Sequence, residues 1–304
     1  MIDIHTHTFP DKIAARALDS LKSNSHTVAF TDGTLDALIR SMRESKISCS
    51  VIQPVATKPN QVVNINNSVL NINSGMSCSL IHSAAANQNI FISGRFKSSG
   101  VISFGAMHPE FEDYAHELRR ISELGIRGIK LHPVYQNVPA DDNHYIRILE
   151  CAGELGLWVM IHAGYDIGYP GNDFAIPERI LRAMKSSGND MVILAHMGGW
   201  RCWNESLEFF ADTRAYIDTS FSLGSFTPID DGYYSCDEEC MMLCADEFVR
   251  MIRAFGAERV MFGSDSPWAS QKEYVRMINA LSLSESEKRM IFTENALSII
   301  GLEE

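Results

Sequence analysis

Histidines and one aspartate stand at the ends of several short apolar runs in this sequence. Imidazole nitrogen and carboxylate oxygen are ligands that zinc and other transition metals take from proteins. A lone His-x-His pair often occurs without a metal, so the joint placement of all these residues carries the prediction. The six residues are His5, His7, His132, His162, His196 and Asp265. Together they predict a divalent-metal site.

The apolar runs have the length and composition of β-strands and alternate with longer amphipathic stretches, a pattern typical of repeated β-α units. In a (β/α)8 barrel the carboxyl ends of all strands converge on the active-site face. His5 and His7 are two residues apart, so both side chains point to one face of their strand. The predicted strands are Ile2–His7, Ser50–Pro54, Val101–Met107, Gly128–His132, Trp158–His162, Met191–His196, Ala215–Thr219 and Val260–Ser264. The predicted helices are Asp11–Leu21, Thr34–Ser45, Phe111–Leu124, His144–Leu155, Ile176–Ser186, Asp246–Phe255 and Lys272–Leu281.

Two segments interrupt this alternation. Residues 58–95 are rich in Asn and Ser, with a regular apolar spacing only at Ser79–Ala86, and residues 221–240 mix Gly, Pro, Asp, Tyr and Cys. Both are predicted to be long barrel loops that could act as lids. No Pro- or Gly-rich linker and no short repeat divides the chain. We therefore expect residues 1–304 to form a single α/β domain, a (β/α)8 TIM barrel.

Composition restricts the class of partner. The chain of 304 residues has a formal charge of −12 and a sequence pI near 5.3, which disfavours nucleic acid or an anionic membrane as the main partner. Apolar runs are far shorter than the ~20 residues of a membrane span, and no secretory signal follows Met1. The seven cysteines are scattered, as in proteins of reducing compartments. These features predict a cytoplasmic location. With the predicted metal site, a small molecule is the expected partner, and the oligomeric state is left open, although a homodimer would be unsurprising.

Five motifs together resemble the amidohydrolase superfamily, in particular the amidohydrolase-2 group of TIM-barrel metal-dependent hydrolases. The resemblance covers essentially the whole chain. It implies a divalent metal held by the histidine pair of strand 1, the histidine of strand 5 and the aspartate of strand 8. The motifs are Met1-Ile-Asp-Ile-His-Thr-His7, Gly128-Ile-Lys-Leu-His-Pro133, Val159-Met-Ile-His-Ala-Gly164, Ile193-Leu-Ala-His-Met-Gly-Gly199 and Phe262-Gly-Ser-Asp-Ser-Pro-Trp268.

Carried over residue by residue, the resemblance implies that the metal ligands are His5, His7, His162 and Asp265. His196 matches the catalytic histidine of strand 6. The expected cofactor is one Zn²⁺ ion, with Mn²⁺, Fe²⁺ and Ni²⁺ as alternatives.

Lys130 has two interpretations. In binuclear relatives a carboxylated lysine of strand 4 bridges two metals, whereas here Lys130 could equally be a cationic clamp for the substrate. We favour a single metal for two reasons. The amidohydrolase-2 group usually resembles a mononuclear pattern, and an uncarboxylated lysine close to metal cations costs electrostatic energy. Lys130 and His132 should share the inward face of their strand and could anchor a substrate carboxylate. Tyr165 and Trp200, after strands 5 and 6, are predicted to contact the substrate.

Three functions fit these residues. The favoured one is hydrolysis of an amide, cyclic amide, lactone or ester, in which Asp265 takes the proton of an activated water and His196 carries a proton or binds the oxyanion. The second is metal-dependent, non-oxidative decarboxylation of an unsaturated or aromatic acid, because the group resembles aminocarboxymuconate semialdehyde decarboxylase. The third is a non-catalytic barrel that retains a metal, which an uncommitted His196 disfavours.

Overall fold

The computed structural model describes residues 1–75 and 100–301 of the chain. Eight parallel strands in these ranges follow one another around a barrel, the third in two segments joined through Phe104. The backbone N–H of Phe104 donates to Ile52 O at 3.0 Å, and Ile4 N–H donates to Phe262 O at 2.9 Å, which joins the last strand to the first. The strands are β1 Ile2–Thr6, β2 Cys49–Ile52, β3 Val101–Ser103 with Gly105–Ala106, β4 Gly128–Leu131, β5 Trp158–Ile161, β6 Val192–Leu194, β7 Tyr216–Asp218 and β8 Val260–Met261.

Both faces of the strands are buried, as parallel sheets require. Inside the barrel, alternate residues such as Ile4, Val51 and Met160 pack into one apolar cluster, which also includes Leu297 and Ile300 of the last helix. A second cluster fills the space between strands and surrounding helices. Alternate residues of each strand therefore face an inner apolar core and an outer one. The predicted (β/α)8 fold is confirmed.

All seven predicted helices are present, each within a few residues of its predicted ends, and six further helices are found in the described ranges. The second helix illustrates the local signals, since the Thr34 hydroxyl accepts from Ala37 N–H at 3.2 Å and so caps the helix start. No helix in the described ranges is long and apolar enough to span a bilayer. The helices are α1 Asp11–Ser25, α2 Leu35–Ser45, α3 Val62–Gly75, α4 Tyr114–Glu123, α5 Pro133–Gln136, α6 Asn143–Glu154, α7 Pro177–Ser187, α8 Trp203–Phe210, α9 Asp237–Cys240, α10 Ala245–Phe255, α11 Gln271–Asn279, α12 Glu285–Arg289 and α13 Asn295–Ile300.

The loop predicted for residues 58–95 is wrong in its first part, where α3 forms. Its asparagines bind partners from distant elements. Asn66 accepts from Ala106 N–H at 2.8 Å and donates to Glu117 at 2.8 Å, while Asn73 both donates to and accepts from the backbone of Ser103. These tertiary hydrogen bonds stabilise a helix of weak intrinsic propensity. The rest of the predicted loop, including Ser79–Ala86, lies outside the described residues. Residues 221–240 are irregular as predicted, apart from α9.

Candidate active site

All nine predicted site residues line one cavity of about 1100 Å³ at the carboxyl ends of the strands. This grouping follows from the barrel, since residues that end parallel strands share one rim. Seven of the nine are buried, and His7 and Tyr165 are half-buried. They are His5, His7, Lys130, His132, His162, Tyr165, His196, Trp200 and Asp265. Their closeness makes this rim the candidate active site.

Three of the four predicted metal ligands form a compact triangle. His5 Nε2 lies 3.2 Å from His7 Nε2, and Asp265 Oδ1 lies 3.4 Å from the former and 3.2 Å from the latter. Ligand atoms held tetrahedrally at about 2.1 Å from a zinc ion stand about 3.4 Å from one another. The triangle therefore has the dimensions of one face of a metal coordination shell.

The protons of the two histidines are fixed on the far side of each ring. His5 Nδ1 donates to Asp218 Oδ2 at 2.6 Å, and His7 Nδ1 donates to the carbonyl of Gln53 at 2.8 Å. Burial, helped by the charge of Lys130, lowers the pKa of His5 to about 3, so its ring stays neutral. Both Nε2 lone pairs thus face the Asp265 carboxylate across the triangle. Three such acceptors fit a divalent cation.

The fourth predicted ligand, His162, lies outside this triangle. Its Nδ1 is 3.1 Å from His196 Nε2, and its Nε2 is 3.3 Å from the carbonyl of Tyr165. The ring stacks on His132 at a centroid distance of 4.1 Å, which holds this orientation. The group whose ligand atoms lie within 4.8 Å of one another contains His5, His7 and Asp265 but not His162, so His162 must move to complete the coordination shell. Its role as a ligand stays a prediction.

A second histidine group contains His132, His162 and Asp166, whose ligand atoms lie within 4.8 Å of one another. His132 Nδ1 accepts the backbone N–H of Tyr135 at 3.3 Å, which leaves the ring proton on Nε2. That Nε2 lies 3.6 Å from Asp166 Oδ2. Burial lowers the pKa of His132 well below its ordinary value, so the ring is neutral. This group presents a hydrogen-bond donor to the cavity and fits a substrate oxygen better than a metal.

Lys130 is 1% exposed, and its Nζ lies 3.1 Å from His5 Nε2. Burial lowers its pKa to about 8, although the carboxylates of Asp218 and Asp265 oppose the shift. At neutral pH the side chain is therefore mainly an ammonium, with a neutral fraction that is able to react with CO2. The position beside His5 is compatible with both interpretations of Lys130.

The backbone around His196 and Asp265 is unusual. Both residues have positive φ angles, 61° for His196 and 67° for Asp265. Such angles cost non-glycine residues free energy and persist where surrounding contacts impose them. The N–H of Asp265 donates to His5 O at 2.9 Å, and the N–H of His196 donates to Asp218 Oδ1 at 2.9 Å. These bonds turn both side chains toward the cavity.

Tyr165 and Trp200 belong to the loops after β5 and β6, which are joined directly. Tyr165 N–H donates to Trp200 O at 3.0 Å, and Trp200 N–H donates to Ala163 O at 2.8 Å. The Trp200 ring is 8% exposed, and its Nε1–H has no acceptor among the described residues. This side chain can therefore offer a donor to a substrate.

Sequence reasoning gave no specific role to Asp218, Gln53 or Tyr135, although all three contact predicted site residues. Asp218 ends β7 just as the histidines end their strands, and this position predicts that it helps to shape the pocket but not that it contacts His5. Gln53 follows β2 and could have been placed in the pocket in the same way. Tyr135 stacks on His132 at 3.8 Å, and no pattern in the sequence signals this contact.

The amidohydrolase family model matches residues 82–302, well over half of the chain. The chain belongs to the amidohydrolase family. This result confirms the superfamily assignment made from the five motifs. No curated protein has a significantly similar sequence.

Several solved structures share the fold. An uncharacterized TIM-barrel protein from Bordetella bronchiseptica has a TM-score of 0.67 and 16% identity, with 99% of each chain covered. A protein described as a 2-pyrone-4,6-dicarboxylic acid hydrolase from Pseudomonas putida has a TM-score of 0.60 and 19% identity, over 99% of this chain and 97% of the other. A dihydroxybenzoic acid decarboxylase from a Polaromonas species, with bound manganese and 2-nitroresorcinol, has a TM-score of 0.58 and 15% identity, over 99% and 96%. The fold therefore occurs with both hydrolase and decarboxylase activities.

Proposed function

We propose that this protein is a metal-dependent hydrolase that cleaves a C–N or C–O bond of a small amide, cyclic amide, lactone or ester. The observation that carries the proposal is the triangle of His5 Nε2, His7 Nε2 and Asp265 Oδ1 at the cavity wall. His162 would have to move to complete the ligand set. A bound divalent ion would supply Lewis-acid activation of water and of the scissile carbonyl.

The residues around the triangle can manage protons and charge. Asp265 lies where it can take a proton from the attacking water and return it to the leaving group. His196 faces the same cavity and is the second candidate for proton transfer. His132 offers its Nε2–H, and Lys130 an ammonium, to oxygen atoms of the substrate. Substrates that carry a carboxylate are among those expected.

The described part of the cavity lining supports the choice of hydrolysis over decarboxylation in this proposal. Lys58 and Lys130 are its cationic side chains within the described ranges, and no arginine from those ranges lines it. A site that must bind an aromatic carboxylate and release it as CO2 gains from a planar, bidentate guanidinium. Decarboxylation of an unsaturated or aromatic acid is the second candidate, because the Polaromonas decarboxylase has the same fold and binds manganese.

Metal content is the first measurement. Elemental analysis of wild-type protein should give about one divalent ion per chain, and His5→Ala and Asp265→Ala should lose it. Zinc is the expected ion, with manganese as the main alternative. Asp212→Asn, at an exposed position, is the control and should bind as the wild type does. Two ions per chain would instead favour a carboxylated Lys130, and an absence of metal in the wild type would refute the proposal.

The reaction type needs a separate assay. The metal-loaded protein should release acid from a panel of lactones, esters and amides, and the metal-free protein should not. The same preparation, incubated with aromatic and unsaturated carboxylic acids, should release no CO2. Release of CO2 without hydrolysis of any panel member would identify a decarboxylase.

A further inference from the structure

Asp218 is a fully buried carboxylate at the end of β7 that receives hydrogen bonds from three different strand ends. Its Oδ2 accepts from His5 Nδ1 at 2.6 Å. Its Oδ1 accepts from the backbone N–H groups of His196 and Ser220, at 2.9 and 3.0 Å, and from the Ser220 hydroxyl at 2.5 Å. One side chain thus connects a proposed metal ligand to the loop that carries His196.

These bonds determine where the proton of His5 resides. A carboxylate only accepts hydrogen bonds, so the His5 proton must be on Nδ1 and the Nε2 lone pair must face the metal triangle. Partners of this kind on metal-binding histidines fix the tautomer and the ring orientation. Lys130 Nζ, 3.1 Å from His5 Nε2, favours the same tautomer as an ammonium, and Asp218 is the carboxylate that accepts the Nδ1 proton.

The Ser220 hydroxyl extends this constraint to His196. Its single proton goes to Asp218, so toward His196 Nδ1, 3.0 Å away, the oxygen can only accept. The Ser220 carbonyl, 3.2 Å from the same Nδ1, is also an acceptor. The proton of neutral His196 is therefore on Nδ1, and its Nε2 accepts the Nδ1–H of His162 at 3.1 Å. Neutral His162 then carries no proton on Nε2, so its contact with the Tyr165 carbonyl is not a hydrogen bond.

We propose that Asp218, together with Ser220, is a positioning pair that sets the proton positions of both His5 and His196, so that each presents an Nε2 lone pair to the site. This inference rests on the proposed function, because it assigns His5 to a metal and His196 to proton acceptance. In this tautomer neutral His196 can accept a proton at Nε2. Donation from Nε2 to an oxyanion would require the other tautomer or an added proton.

Asp3 is a second buried acidic residue that contacts His5, but through the backbone. It is fully buried and accepts from the His5 backbone N–H at 3.2 Å. Its other donors are Ser264, just after β8, and Gln271, the first residue of α11. Asp218 differs because it binds the imidazole itself.

The first test compares metal affinity in wild type, Asp218→Asn and the exposed Asp212→Asn control, by competition with a chelator for zinc. The asparagine amide can donate to Nδ1 and so favours the wrong tautomer. Asp218→Asn should bind zinc about 10- to 100-fold more weakly, and the control should be unchanged. Wild-type affinity in a folded Asp218→Asn protein would overturn the inference, whereas a wild type without zinc would refute the proposed function.

Ser220 variants separate the two halves of the pair. In Ser220→Ala the 2.6 Å bond between His5 Nδ1 and Asp218 remains, and only the longer 3.0 Å contact of the hydroxyl with that Nδ1 is lost. Zinc affinity should therefore stay within about twofold of wild type while kcat falls about 10-fold. Ser220→Thr keeps the hydroxyl and should restore kcat. Two results would contradict the role of the hydroxyl. One is a kcat of Ser220→Ala equal to that of the wild type, and the other is a kcat of Ser220→Thr as low as that of Ser220→Ala.

A direct reading of the tautomers needs no variant that weakens the site. Long-range proton–nitrogen NMR of histidine-labelled wild-type protein, with and without zinc, should show Nδ1–H and unprotonated Nε2 for His5 and His196. The assignment comes from the signals lost in His5→Gln and His196→Gln. An Nε2–H tautomer on either ring in the metal-free protein would overturn the inference, whatever the reaction proves to be.

Discussion

Gly164 lies in the loop after β5 and packs against Trp200 in the loop after β6. Replacing it with alanine should destabilise the protein strongly. Its φ angle is +89°, and an added Cβ would overlap the backbone N and O atoms of Trp200. A positive φ costs an alanine about 1–2 kcal/mol. Backbone cannot rotate away as a side chain can, so the overlap must separate the two loops.

Separation of the loops would break two backbone hydrogen bonds. They are Tyr165 N–H to Trp200 O at 3.0 Å and Trp200 N–H to Ala163 O at 2.8 Å. At about 1 kcal/mol each, their loss added to the cost of φ gives about 3–4 kcal/mol. A loss of this size is larger than that of most single substitutions.

Gly171→Ala is the matched control. Gly171 also has a positive φ, +81°, but its added Cβ would meet nothing within 4 Å. It should lose about 1–2 kcal/mol from φ alone. Urea denaturation of both variants gives the free energies of unfolding. Equal losses in the two variants would refute the assigned contact between the loops, because only φ would then matter.

Three further predictions concern the site and the strand beside it. Asp265→Asn should lower kcat by about 10²- to 10⁴-fold while retaining more metal than His5→Ala; a wild-type kcat would remove Asp265 from proton transfer. Lys130 is an ammonium below its pKa of about 8 and a neutral amine above it, so KM for a carboxylate-bearing substrate should rise as pH increases through about 8. In Lys130→Met the KM should be high and independent of pH over this range, and a rise like that of the wild type would assign the titration to another group. Asn66→Ala should lose about 2–3 kcal/mol of unfolding free energy through its two buried hydrogen bonds, whereas the adjacent exposed Asn67→Ala should lose little when both are measured by urea denaturation.

The sequence was sufficient to predict the barrel and the rim of the cavity. Strands buried on both faces are apolar at nearly every position, and this pattern is local, as are the caps and spacing of the helices. Once eight parallel strands are counted, the geometry of a barrel requires their carboxyl ends to converge. The grouping of His5, His7 and Asp265 follows without knowledge of any individual contact.

Helix α3 was missed because its stability is not local. Asparagine has weak helix propensity, and the side chains that stabilise this segment bind partners 30 to 51 residues away in the chain. A search for helical periodicity cannot register such contacts. The same limit applies to Tyr135, whose stacking on His132 depends on the path of a short helix.

The chemical state of the site was decided by tertiary structure alone. The sequence names His5, Lys130 and Asp218 but gives neither the 2.6 Å contact that fixes the His5 proton nor the burial that brings the pKa of Lys130 to about 8. Tautomers and pKa values depend on which atoms face each other and on how much water is excluded. Those quantities arise only when strands far apart in sequence are brought within hydrogen-bonding distance.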